Sequence, residues 1–292
     1  SAVREPTADQ PGQGRWIELS VNSADMAPNA GKPTAAMDAS NNPVTLPNLT
    51  VGQALRDVSY NGIGGFTTDD DVRRALFTVS NKLGVMETNR PEDVEYNPKD
   101  PSGTPTIYIA FTEHGTTTAL DRNGVLVTAM PDMANPGRWI PRTRVAADMA
   151  DRTAEKSGGI FAVREVNTAA PASSKTFTYF RAWKGSRRGE PGYDAAFSAS
   201  KPDNLAIDRE GGVWFGTDGN YENNGVADGI YYLDMDPAHA AGRVPNPTYR
   251  KAFRVLSVPS DAEATGPAFT PDMKTLFINV QHPGENIYST WP

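Results

Sequence analysis

The sequence predicts an all-β chain, the later blades of a β-propeller carrying a partly helical insertion, and three observations lead there. First, 26 glycines and 24 prolines among 292 residues punctuate the backbone too often for a helical bundle or coiled coil. Second, from residue 90 onward, short runs rich in β-branched and aromatic residues alternate with turn signals, the pattern of a sandwich, barrel or propeller. Third, one grammar recurs three times in that stretch, and recurrence of this kind marks repeat architectures.

Residues 1–21 read as the end of a preceding blade, with Gly14 to Val21 as a strand. Residues 22–89 read as the insertion. Met26 to Asn48, rich in Pro, Ala and Asn, reads as an irregular surface excursion, and Val51 to Val58 as a short helix. Thr68-Asp69-Asp70-Asp71 can cap one further helix with Val72, Ala75, Leu76, Val79 and Leu83 on a single face. Residues 90–292 read as propeller blades. Their expected strands are Thr106–Thr112, Gly124–Thr128, Gly159–Val166, Phe177–Trp183, Leu205–Asp208, Val213–Gly216, Gly229–Asp234, Lys251–Val258 and Thr275–Gln281. Asn123-Gly124 and Asp208 to Gly212 are hairpin turn signals.

Each repeat places an acidic group on a short strand, then a Pro/Asp/Gly turn, an aromatic-aliphatic strand and a polar tip. The first runs from Arg90-Pro91-Glu92-Asp93 to Glu113-His114-Gly115. The second runs from Lys201-Pro202-Asp203-Asn204 to Thr217-Asp218-Gly219, and the third from Glu263-Ala264-Thr265-Gly266 to His282-Pro283-Gly284. In a propeller the innermost strand of every blade borders the central channel. Corresponding positions then converge, with Glu92, Asp203 and Glu263 around the axis and Glu113, Asp218 and His282 near one mouth. Roughly three units fall short of the ~4 blades a ring needs, so the earlier part of the propeller is expected outside this chain.

Carboxylates gathered at one channel would repel each other, and hard cations such as calcium want such oxygen ligands. Asp208, Glu210, Asp272 and Asp121 sit in turns instead, where acidic side chains shape the backbone. Arg90 and Lys201 share one slot, before Pro and an acidic residue. Each could be a counter-ion to that carboxylate or a clamp for an anionic substrate. His239 reads as a loop residue. Trp183, Trp214, Tyr231, Tyr232 and Phe277 read as blade packing.

Composition excludes several classes. The formal net charge of −7 disfavours a nucleic-acid binder, which needs a basic face. There is no cysteine, hence no disulfide, thiolate zinc site or cysteine nucleophile in this chain. No run approaches the ~18 apolar residues of a membrane span. Phosphate-loop, His-Glu-x-x-His and Gly-x-Ser-x-Gly motifs are absent.

The motifs around Arg90, those from Lys201 to Gly219, and Glu263-Ala264-Thr265-Gly266-Pro267 with Phe277 to Glu285 resemble the PhoX-type alkaline phosphatases in the same order along the chain. The resemblance implies a periplasmic or secreted metal-dependent phosphomonoesterase that releases phosphate from organic esters with iron and calcium. It implies that Arg90 holds phosphate, that Lys201 is a second phosphate-binding cation, and that Glu92 is an iron ligand. Asp203 and Glu263 would be ligands of the remaining metals, with Glu113 and Asp218 beside them. Its implied partner is the remaining N-terminal part of the propeller, since the family also draws a cysteine and further carboxylates from there. Two rival readings stand beside it. One is a calcium-dependent propeller hydrolase of the lactonase kind; the other is a non-enzymatic propeller module stabilised by calcium.

Overall fold

The computed structural model describes residues 6–37, 40, 43–85, 90–112, 129–131, 139–141 and 157–284. These form mostly antiparallel sheet with few helices, as expected of an all-β chain. The chain divides into two compact units: Ser1–Trp16, Asn89–Gly115 and Arg152–Pro292 in one, Ile17–Thr88 and Thr116–Asp151 in the other.

The first unit contains three sheets. One has the order β1-β9-β8-β5-β4, from β1 (Gly12–Arg15), β9 (Thr176–Lys184), β8 (Gly159–Glu165), β5 (Thr106–Phe111) and β4 (Pro91–Asn97). The second runs β10-β11-β12-β13, from β10 (Pro202–Ile207), β11 (Val213–Thr217), β12 (Gly229–Leu233) and β13 (Ala252–Ser257). The third pairs β14 (Glu263–Phe269) with β15 (Leu276–Gln281).

Alternation along the strands decides which faces meet. On β5, Tyr108 and Ala110 are buried while Ile107 and Ile109 are only half-buried, the two-residue period of a pleated strand. Tyr108, Ala110, Ile160, Ala162, Phe180 and Trp183 of the first sheet form one core with Val213, Phe215, Tyr231 and Leu233 of the second. Trp183 lies 4.9 Å from Phe215, which stacks on Tyr231 at 5.3 Å. Each such fully buried large side chain contributes about 1.5–3 kcal/mol. The second and third sheets share Ile230, Val258, Ala262 and Ala264. Gly216 lets them approach, because a Cβ there would sit 2.0 Å from the Ala264 carbonyl oxygen. Asp218, two residues on, is thereby carried toward the strand that holds Glu263.

In the second unit, α1 (Val51–Arg56) and α2 (Asp69–Arg74) each begin with a capping box, on Thr50 with Gln53 and on Thr68 with Asp71. The single helix expected from Thr68 to Leu83 is two helices. The chain breaks at Ala75 (φ −132°, ψ 35°), and α3 (Leu76–Leu83) follows. The break drops Leu76, which an unbroken stripe would bury, onto the exposed surface while Val72, Val79 and Leu83 remain in the core. Met26 to Asn48 is also more than a surface excursion. It contains the hairpin of β2 (Pro33–Met37) and β3 (Pro43–Thr45), and it buries Ala27, Asn29 and Leu46. The fragments β6 (Ala129–Pro131) and β7 (Trp139–Pro141) pair with each other.

Eight of the expected strands match β5, β8, β9, β10, β11, β12, β13 and β15 to within a few residues. Gly124–Thr128 lies outside the described residues. The strand expected over Gly14–Val21 ends at Arg15, where pairing with β9 ends. Phe277 is exposed rather than packed, because it faces outward on β15.

Candidate metal centre

Three residues hold the same position, each two places before a carboxylate on the edge strand that the repeat pattern would place innermost. Arg90 precedes Glu92 on β4, Lys201 precedes Asp203 on β10, and Asp261 precedes Glu263 on β14. All three have positive φ: 37°, 53° and 62°. Non-glycine residues adopt such angles seldom, and such strain gathers at functional sites. The shared slot of Arg90 and Lys201 was legible in the sequence. Its third member, Asp261, was not, because an Asp lacks the cationic signature that flagged the other two.

Each inner strand is also bulged. The register slips between Pro91 and Asp93, between Pro202 and Leu205, and between Thr265 and Ala268. A bulge re-aims side chains near the strand's end. Here the outcome is convergence: Asp203, Asp218 and Glu263 each offer a carboxylate oxygen within 4.8 Å of the others, and all three are half-buried.

The surroundings of the cluster are charged. Arg90 Nε lies 3.2 Å from Glu92 Oε1, and its Nη2 lies 3.9 Å from Asp218 Oδ2. Thr112 Oγ1 donates to Glu92 Oε1 at 3.2 Å. Glu92 therefore faces Arg90 and Thr112 and stands beside the three-carboxylate group rather than in it. His282 Nε2 is 3.7 Å from Glu263 Oε1. Lys201 Nζ reaches Glu222 Oε2 at 2.6 Å and lies against Gly219, where a Cβ would clash with it. Burial, with the negative charges of Glu92 and Asp218 behind it, pushes the Asp203 carboxyl up to about 6, against the pull of Arg90. A small cavity of about 70 Å³ opens between Lys201, Asp218, Tyr221, Asp261 and Glu263.

Beneath the tip lies a residue that sequence reasoning missed. Asp228 Oδ1 accepts from Thr217 Oγ1 at 2.6 Å, Asn220 N at 2.7 Å and Gly219 N at 3.0 Å. It thus holds the Thr217 side chain before Asp218 and the backbone after it. Burial pushes its carboxyl up to about 6, although these hydrogen bonds oppose the shift. An isolated Asp before Gly229 carries no motif, and only the fold shows its target.

The other candidates divide. Glu113 lies outside the described residues, as does Asp121. Asp208 accepts from Glu210 N, Gly212 N and Trp214 Nε1, and Asp272 accepts from Thr270 Oγ1 and Lys274 N, so both serve turns. His239 sits on a 3-10 turn with Nδ1 2.8 Å from Asp234 Oδ2, fixing a loop.

The carboxylate triad suits a hard cation. Its donors are all oxygens, and burial together with the neighbouring carboxylates Glu92 and Asp218 raises Asp203 despite Arg90.

No curated protein matches the sequence. Pseudomonas fluorescens PhoX, solved in complex with vanadate, a transition-state analogue, aligns with a TM-score of 0.54 and 24% identity. The alignment covers 80% of this chain but 36% of that one, so the likeness speaks to the fold of a part. The family model for alkaline phosphatase PhoX matches residues 2–284. With nearly the whole sequence so matched, the chain belongs to the PhoX alkaline phosphatase family.

Proposed function

We propose that this chain supplies one wall of a metal-assisted phosphomonoesterase site. The single observation that carries the reading is the meeting of Asp203 and Asp218 of one sheet with Glu263 of the next, beside the Arg90 guanidinium, in a chain of this family. Three carboxylates so close favour a bound cation over their own mutual repulsion. An acidic site that is to receive a phosphate monoester must also have its local charge reversed. Asp203, Asp218 and Glu263 would hold calcium or a similar hard cation, and Glu92 would be a ligand of iron. Bound cations polarise phosphoryl oxygens and stabilise the charge that develops on them.

The chain's own side chains do the rest. Arg90 offers a planar fork to two phosphate oxygens, with Glu92 orienting it. Lys201, held by Glu222 at the cavity wall, adds a second positive charge near the entering anion. Tyr221 at the same wall contributes an aromatic face for the organic part of an ester.

The wider arrangement belongs to the same proposal. Residues 90–292 act as propeller blades, 22–89 as an insertion and 1–21 as the end of a preceding blade. The remaining sides of the channel come from the part of the propeller that corresponds to the rest of the longer PhoX chain. The whole works in the periplasm or outside the cell, on soluble phosphate esters. Among the described residues no helix is long and apolar enough to cross a membrane.

The test is phosphate release from p-nitrophenyl phosphate by the complete protein, before and after metal removal and re-addition. Loss on removal and recovery with calcium and iron supports the reading. Full activity without metal overturns it. Turnover of a lactone with calcium alone would favour the lactonase reading instead.

A further inference from the structure

We infer that Asp93 and Asn204 are a matched pair of positioning residues that set the spacing of the carboxylate cluster. The inference rests on reading that cluster as a cation site. Each residue immediately follows an inner-strand carboxylate: Asp93 follows Glu92, and Asn204 follows Asp203. Each reaches across to the backbone of the next sheet's inner strand. Asp93 Oδ2 accepts from Leu205 N at 2.8 Å, tying β4 to β10. Asn204 Oδ1 accepts from Gly266 N at 3.0 Å and from Thr265 Oγ1, tying β10 to β14.

The two acceptors are equivalent in sequence, and their ties land two and three places past the next strand's carboxylate, at Leu205 and Gly266; together they join all three inner strands in series. Sheet hydrogen bonding cannot do this, because the three strands belong to three different ladders. Apolar packing between the sheets fixes how far apart they stand, but it tolerates sliding along the strand direction. A hydrogen bond from one side chain to one backbone N–H does not.

The ties sit at the bulges, where ladder pairing is interrupted and strand position is least determined. Asp93 Oδ1 also accepts from its own neighbour, Val94 N, at 2.8 Å, which locks its carboxylate in the bridging orientation. The third inner strand carries buried Ala264 at the corresponding position, so the device serves the two strand pairs that include β10, and both ties act on the strand that carries Asp203. Partners of this kind typically change metal affinity by 10–100-fold while touching no metal themselves.

Calcium affinity of the full chain, measured by isothermal titration, tests this without any turnover assay. Four variants are compared with the parent: Asp203→Asn, Asp93→Ala, Asn204→Ala and Asp93→Asn. Melting temperatures confirm that each is folded. The expected result is at least tenfold weaker binding in Asp93→Ala and in Asn204→Ala. Asp93→Asn, which keeps an acceptor oxygen for Leu205 N, should return close to the parent affinity.

Because the two ties are separate, either alanine variant can decide the matter if the other fails to fold. Parent-like affinity in the folded alanine variants, with Asp203→Asn impaired, overturns the positioning role alone. So does an Asp93→Asn as weak as Asp93→Ala, since charge rather than the bridge would then matter. Equal calcium binding by the parent and Asp203→Asn overturns the cation-site reading, and this inference with it.

Discussion

The two compact units hold their cationic side chains in opposite ways. In the second unit Lys82 is fully buried, and its Nζ donates to the carbonyl oxygens of Asp57, Tyr60, Ile63 and Gly64. Asn29 and Asn61 close the same network against the Lys82 carbonyl. Donors meet backbone acceptors, and nothing converges on open space. In the first unit Arg90 and Lys201 lie at positive φ and face carboxylates, and Lys201 borders a cavity lined by further acidic groups. Burial alone therefore does not mark function. Like charges carried together by two sheets at half-buried positions do mark it.

That contrast can be broken or sharpened by experiment. The largest effect is expected from Lys82→Met, which leaves four carbonyl oxygens without their donor. It should destabilise the chain by about 3–5 kcal/mol in chemical denaturation and leave calcium affinity in the remaining folded protein unchanged. A cost below about 1 kcal/mol would mean that the network is ornamental.

Asp203→Asn should show the reverse, because it removes a charge from the triad. Cation affinity should fall by about 100-fold while the metal-free chain becomes more stable at neutral pH. Isothermal titration and thermal melting of the same sample separate the two quantities. A variant that both binds weakly and melts early would point to a scaffold role for Asp203.

Asp228 gives a pH signature with a definite sign. Its folded carboxyl titrates at about 6, above the 3.8 of an ordinary Asp, so the folded state holds the proton more tightly. Its contribution is fully present below about pH 4, is lost as pH rises through about 6 and is flat above that, on the order of 3 kcal/mol in all. Asp228→Asn keeps an acceptor for Gly219 and Asn220 but cannot ionise. Plotting melting temperature against pH for the metal-free proteins should show the parent losing stability relative to this variant between pH 4 and 6. Parallel curves would contradict the assigned burial.

The smallest effect is the most discriminating for Arg90. If it clamps phosphate through its planar fork, Arg90→Lys should weaken inorganic phosphate binding by about tenfold, nearly as much as Arg90→Ala. Cation affinity should be kept in both. If it only balances Glu92, lysine should serve as well as arginine.

Much of the scaffold was legible in the sequence because period-two alternation and turn residues are local signals. Eight strands, the cap at Thr68 and the shared slot of Arg90 and Lys201 came from such patterns. Asp203 and Glu263, equivalent positions of the repeat, do meet, but Glu92, their expected third, stands beside the group and Asp218 from the tip of the second repeat completes it. What escaped was set by tertiary contact. The bulges on β4, β10 and β14 are register events between strands. The helix break at Ala75 and the hairpin between Pro33 and Thr45 answer to the packing of the second unit. Asp93, Asn204 and Asp228 act through backbone groups far away in sequence, and no spacing rule announces them.

The central claim is that the carboxylate cluster becomes a phosphate site only when it carries cations. Its most direct test is inorganic phosphate binding by the full chain, measured calorimetrically with and without calcium and iron. The account predicts no measurable binding to the metal-free chain, binding on addition of the cations, and loss of that binding in Asp203→Asn and Arg90→Ala. Phosphate binding of equal strength without metal, or unaffected by Asp203→Asn, would contradict it.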